Sequence, residues 1–291
     1  MVGEKKFTIY SVFKYLFIAS FALLIIYPLL HIFSVSISSN QAILTRSVTF
    51  YPVGLNLTSY RLIWEASGLG TAYMNTLKYV GLHTIVAMVV STTGAYALSK
   101  GDRLWGFNFF TSMILISMFF SGGMIPTYVT MKDYGLIDST AVIVLMGCCS
   151  AYNIIVMKSF FQSLPRDLEE AGKIDGLNDF GVLFRITVPL STAILTTIAL
   201  FYAVGQWNAY MVPFIYLTSR TKWPVQILLR NMLLAGSTFS NEANAMNVDS
   251  MVLGESMVNA TIVVSILPMI VIYPFLQKYF AKGLMIGSIK G

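Results

Sequence analysis

The chain has 291 residues, of which 56% are hydrophobic and only 11% charged, and its mean hydropathy is +0.71. A soluble domain carries about 25% charged residues, so this chain has too few to cover a water-facing surface. The same figures exclude disorder, collagen and coiled coil and leave an integral membrane protein.

Six charge-free windows stand apart: Tyr15–Thr45, Tyr79–Ser99, Leu104–Met131, Ser139–Met157, Ile186–Ser219 and Ser256–Gln277. The shortest holds 19 residues, whereas the next charge-free stretch, Ser47–Tyr60, holds 14. A bilayer core takes about 20 helical residues, so the gap separates spans from the rest. The windows are too long and too unpatterned for barrel strands, and backbone in lipid must pair internally. The expectation is an all-α integral membrane protein with six transmembrane helices.

Lysine and arginine orient it. An even number of spans puts both termini on one side, and that side holds twelve of the 19 basic residues, Lys100, Arg103, Arg166 and Lys173 among them. Seven acids share it, giving 12 − 7 = +5, against 7 − 6 = +1 on the other side, which together make the formal +6. Both termini are therefore expected in the cytoplasm. The basic balance is a topology signal and needs no nucleic acid partner.

In chain order, residues 1–70 form a tail, the first span and an outer loop. Residues 71–291 form a five-helix core with a cytoplasmic loop at 158–185 and a long outer loop at 218–255. The first window lacks a small-residue cleavage site and runs past Tyr27-Pro28 into His31, so it is read as retained. Pro126, Pro213 and Pro268 fall inside spans, and Gly122-Gly123 precedes Pro126; broken helices beside a path or ordinary packing both suit them. Cys148 and Cys149 are adjacent and read as packing residues. His31 and His83 are the only histidines. One hydrogen bond each outweighs a metal pair, because no third ligand is evident.

The inner loop carries the signal. In Ser163-Leu164-Pro165-Arg166-Asp167-Leu168-Glu169-Glu170-Ala171-Gly172-Lys173-Ile174-Asp175-Gly176, Pro165 suits a first helical turn and the early acids suit its dipole. Leu164, Leu168 and Ala171 make one apolar stripe, and Gly176 is a natural stop. A second helix is expected after Asn178-Asp179, entering the fifth span through Pro189. A surface connector would look like this, but Ala171-Gly172 also leaves a small patch suited to close docking, with acids beside it. No phosphate-binding loop accompanies it.

Glu170-Ala171-Gly172-x-x-Asp175-Gly176, followed by Pro189, resembles the EAA loop of ABC importer permease subunits, with Gly172 where alanine is usual. The resemblance extends to Asn75-Thr76, Ala95–Ser99, Gly122–Tyr128, Gly135-Leu136, Trp207-Asn208 and the ending Tyr273–Gly283 with Gly287–Gly291. It is similar to the carbohydrate-uptake class, in its oligosaccharide and polysaccharide branch, which includes a permease of bacterial alginate importers.

The resemblance implies a type I ABC importer permease fold in the bacterial inner membrane. The chain would be half of a pore and would pair with a homologous second permease. Two ATPase subunits would bind ATP and Mg, so this chain would be no enzyme and hold no cofactor. An extracytoplasmic solute-binding protein would deliver an oligosaccharide. ATPase coupling would fall to Arg166, Glu169, Glu170, Ala171, Gly172, Asp175 and Gly176, and Ser288 and Lys290 would touch the ATPases from the C-terminal tail.

Asn153, Gln206, Trp207, Asn208 and Tyr210 are candidates for the path, since a polar amide in lipid needs a partner or a wet cavity. Interhelical locking by Asn153 and Asn208 explains them as well. Arg46, Arg61, Arg220, Lys222 and Arg230 could assist an anionic cargo at the outer mouth. An intramembrane serine protease would want a nucleophile elbow that is not found here. A stand-alone ion-coupled carrier would place charges inside its spans, and the six windows hold none.

Overall fold

The computed structural model describes residues 9–66, 68–241 and 248–288. Among them the regular elements are helices, and Ser38 and Leu55 form an isolated bridge. The chain divides into two units, Met1–Leu69 with Leu228–Pro268 and Gly70–Ile227 with Met269–Gly291.

The first unit starts with α1 (Ile9–Ser36), apolar all round and almost wholly uncovered by protein until its last turns. Such a surface suits lipid on every side. Short helices α2 (Asn40–Leu44) and α3 (Thr58–Ala66) follow. Between them the chain runs back along the end of α1, with its irregular backbone satisfied by side chains. His31 Nδ1 donates to the Thr49 carbonyl at 3.1 Å, Ser34 Oγ to Phe50 O at 3.0 Å, and Val53 N–H donates to Ser38 Oγ at 3.1 Å. This is the single hydrogen bond expected of His31. A small core of Val35, Ala42, Ile43 and Val48 sits beneath.

The second unit holds α4 (Leu69–Ser99), α5 (Phe107–Phe119), α6 (Met124–Asp133), α7 (Thr140–Leu145), α8 (Ala151–Gln162) and α9 (Arg166–Ile174). It continues with α10 (Asp179–Val182), a wide π turn at Leu183–Thr187, α11 (Val188–Leu190), α12 (Thr192–Trp207) and α13 (Met211–Tyr216). Its main core joins Ala87, Ala95, Tyr96 and Leu98 of α4, Ile154, Met157 and Phe161 of α8, and Ile198 and Tyr202 of α12, with Val182 and Leu183 between.

A buried polar knot ties the same helices. Tyr202 Oη meets Ser91 Oγ at 2.6 Å and accepts from Ser150 N–H at 3.2 Å, while His83 Nδ1 donates to Val144 O at 2.9 Å. The His83 ring meets Tyr202 edge-on at 5.8 Å. Tyr202→Phe orphans two of these groups and should cost about 1–2 kcal/mol. Thermal inactivation of the purified protein in detergent measures it, and an unshifted midpoint would show that the knot contributes nothing.

Among the described residues, three helices are long and apolar enough to cross a bilayer: Tyr10–Ser36, Leu69–Ser99 and Gly254–Pro274. The last lies in α15 (Val248–Ser288). Two bent pairs qualify together, Phe107–Phe119 with Met124–Asp133 at 118° and Asp179–Leu190 with Thr192–Trp207 at 87°, which allows up to five spans. The first bend falls at Gly122-Gly123, where Gly123 has φ +83°, and Pro126 lies in the opening turn of α6. The second falls at Ser191, whose φ −105° and ψ +16° end α11 and open α12, two residues after Pro189.

The fourth window does not form one helix. It divides into α7 and α8, because Gly147 turns left-handed at φ +79° and Ser150 opens a new helix by accepting from Asn153 N–H. The stretch 218–255, expected as a long outer loop, is not mainly loop either. α14 (Val225–Asn241) occupies much of it, with Val225, Ile227 and Leu228 buried. Residues 242–247 lie outside the described residues.

Candidate functional site

α9 is built as its residues require. Pro165 occupies the N-cap position without a side-chain bond, Asp167 and Glu169 stand in the first turn and Lys173 in the last, the charges matching the helix dipole. It closes with a Schellman turn: Leu177 N–H donates to Gly172 O at 2.9 Å and Gly176 N–H to Lys173 O at 3.1 Å. Gly176 sits at φ +83°, which only glycine adopts freely. Asn178 Oδ1 then caps α10 by accepting from Gly181 N–H at 2.8 Å.

The two faces of α9 differ. Leu168, Ala171 and Ile174 are exposed, Ile174 by 86%. Gly172 is buried, and a Cβ there would lie 2.5 Å from Ile186 Cδ1 and within 3.6 Å of Val182 and Leu177. Its smallness is thus used inside the chain, to seat α9 on the π turn. Glu169 also turns inward, to an ion pair with Lys100 and to Lys173 at 3.6 Å. Lys173 reaches Asp179 at 3.1 Å, and this carboxylate holds its ammonium above the ordinary lysine range. Glu170 and Arg103 approach to 3.7 Å in the open. The acids expected to wait for a partner's cations are therefore partly engaged at home. Asp175 is the C-cap, with its N–H on Ala171 O. Arg166 is exposed and lines a cavity of about 120 Å³ with Tyr96, Lys100, Glu169 and Ile186.

Lys100, Arg103, Asp179 and Ile186 were not among the candidates. The first two counted only as topology charges, and nothing in their spacing tied them to a helix some seventy residues on (Lys100 to Glu169 spans 69). Ser288 is the last helical residue of α15, and Lys290 lies outside the described residues.

The path candidates fall in two places. Gln206, Trp207, Asn208 and Tyr210 gather where α12 ends and α13 begins. Trp207 is 4% exposed with its ring 6.2 Å from Tyr73, and Tyr210 stacks on Phe214 at 5.4 Å. Asn208 is exposed and donates to Val204 O of its own helix at 2.9 Å. Asn153 stands apart in the first turn of α8, buried.

Opposite the α9 end of the unit, a clamp holds the loop after α13. Asp138, at φ +57°, accepts from Thr218 N–H at 3.0 Å, Ser219 N–H at 2.9 Å and Lys222 Nζ at 2.8 Å, and also from the Ser219 hydroxyl. These donors hold its carboxyl well below the usual carboxylate range. Asn75 Nδ2 donates to Thr221 O at 2.8 Å, Tyr79 Oη to Lys222 O at 2.9 Å, and Val225 N–H donates to Thr76 Oγ1 at 3.0 Å. Asn75-Thr76 thus acts as a loop anchor. Lys222 is spoken for by Asp138, and Arg61 pairs with Glu65 at 2.9 Å, so neither is a free cation.

Known proteins agree with this architecture. Residues 7–286 match the family described as binding-protein-dependent transport system inner membrane component. The chain belongs to this family of permeases: it is a multi-pass inner-membrane protein, and ATP hydrolysis lies on a separate subunit. It is similar to the polygalacturonan/rhamnogalacturonan transport system permease protein YtcP of Bacillus subtilis (strain 168), 36% identical over 98% of this chain and 100% of that one. Protein LplC of the same organism is also 36% identical, over 100% of this chain and 98% of its own length. Among solved structures, a bacterial ABC transporter involved in the import of the acidic polysaccharide alginate has a chain with TM-score 0.85 and 32% identity, covering 96% of this chain and 99% of that one.

Proposed function

We propose that this chain is one permease subunit of an ATP-driven, binding-protein-dependent importer of oligosaccharides, forming half of the translocation pathway. The cargo class is acidic oligosaccharide. Support comes from the substrates named for two relatives, polygalacturonan/rhamnogalacturonan and alginate, both built largely from acidic sugars. Its partners are a homologous second permease, two ATPase subunits that bind ATP and Mg, an extracytoplasmic solute-binding protein and the surrounding lipid.

The chain crosses six times with both termini in the cytoplasm, the α7–α8 break being one crossing. Residues 1–70 carry the first span and its outer loop, and 71–291 the five-helix core. Gln206, Trp207, Asn208, Tyr210 and Asn153 are assigned to the path. The tail with Ser288 and Lys290 is assigned to ATPase contact.

α9 is the coupling helix, and one observation carries this: it is fastened to its own chain through Glu169 and Gly172 while Ala171 and Ile174 are exposed and Leu168 is partly so. A helix built this way can accept a partner on one face and pass movement inward through the other. Cysteine at Ile174 should cross-link to an introduced cysteine on an ATPase subunit in assembled membranes, with an efficiency that changes on adding ATP. Failure to capture any ATPase subunit, from Ile174 and from Ala171, would remove the assignment.

A further inference from the structure

We infer that Lys100 is a positioning residue for coupling: its ion pair with Glu169 fastens α9 to the cytoplasmic end of α4, so that force on α9 reaches α4 as well as the α10–α12 segment. This rests on the reading of α9 as the coupling helix.

Lys100 follows directly on Ser99, the last residue of α4. Its ammonium lies 3.9 Å from the centre of the Tyr96 ring, one turn back, and on its other side it meets the Glu169 carboxylate. The ring holds the cation in place, so less side-chain freedom is lost when the pair forms. The two side chains are 15% and 23% exposed, against 59% each for Arg103 and Glu170. Partial burial shields the first pair from screening, whereas the second is of the open kind that contributes little.

Glu169 has a second cation in Lys173, but that residue belongs to α9 itself and is shared with Asp179. Among the described residues, the ion pairs that leave α9 for the end of α4 and the turn after it are these two, Lys100–Glu169 and Arg103–Glu170. Beside the inner pair lies the cavity of about 120 Å³, bordered by Tyr96, Lys100, Glu169 and Ile186. The ion pair thus crosses the junction at the edge of a cavity. Its other fastening, Gly172 on Ile186, leads to the π turn and so to the bent α10–α12 segment. One short helix thereby holds two membrane elements by two different contacts.

Shared position is not coupling, so the test is a charge-swap cycle in the complete reconstituted transporter. Lys100→Met, Lys100→Glu, Glu169→Lys and the double swap Lys100→Glu/Glu169→Lys are compared, each also carrying the Ile174 cysteine. The readouts are cross-linking to the ATPase and stimulation of ATP hydrolysis by the binding protein purified with its native sugar. The single variants should keep the cross-link yet lose stimulation by about tenfold, and the swap should recover most of it.

Lys100→Met with full stimulation and an intact cross-link would overturn the proposal. So would a swap no better than the worse single variant, and that comparison decides the matter if Lys100→Met fails to assemble. Absence of the cross-link in the chain altered only at Ile174 would count instead against the coupling-helix reading.

Discussion

Gly172→Leu is expected to abolish stimulation of the ATPase by sugar-loaded binding protein while the spans still fold and insert. A bare Cβ at this position would come to 2.5 Å from Ile186 Cδ1, with Val182 and Leu177 closing the sides. A leucine cannot be housed by swinging one methyl group, and overpacking of this kind costs about 1–3 kcal/mol. α9 must lift away from the π turn, which misplaces its outward face and slackens its hold on Ile186 together. Gly172→Ala is a control with the opposite expectation. Only the far end of one flexible side chain has to move, and alanine favours helix over glycine by about 1 kcal/mol. Ile186→Ala in the Gly172→Leu background should return part of the lost stimulation by making room. Normal stimulation in Gly172→Leu itself would show that the seat of α9 is irrelevant to coupling.

Asp138→Asn should release the loop at the far end of the unit. Asparagine keeps the shape but loses the anion that gathers Lys222, the Ser219 hydroxyl and two backbone N–H groups. The melting midpoint should fall at neutral pH, and protease should cut within 217–224. The pH dependence has a definite sign. The folded carboxyl titrates below its ordinary value, so its stabilising contribution is complete above the unfolded pKa near about 4 and fades as pH falls towards the folded one. The gap between Asp138→Asn and the parent should therefore be widest at neutral pH and narrow below about pH 4. A gap that stays constant on acidification would mean that the carboxylate's charge is not what holds the loop.

Several features of the site were legible from residues alone. Pro165, Asp167, Lys173 and Gly176 specify α9 and its ends, and Asn178 specifies the start of α10, because caps and dipole preferences act within one turn of chain. The long helices in the first, second and sixth charge-free windows were legible for a similar reason: a long apolar run free of charges has no other stable form in lipid. The fourth and fifth windows looked equally uniform, yet Gly147 and Ser150 break one and the chain bends at Ser191 in the other. Hydropathy averages over such points.

The sequence by itself determined that this is a helical membrane protein with a capped, amphipathic helix between two apolar stretches, since composition and local capping depend only on neighbours along the chain. Tertiary structure alone decided which way that helix faces. Gly172 turned inward to Ile186 and Glu169 to Lys100, and Lys222 was claimed by Asp138. Contacts between residues tens of positions apart depend on how helices are brought together in space, and no periodicity within either segment encodes its distant partner.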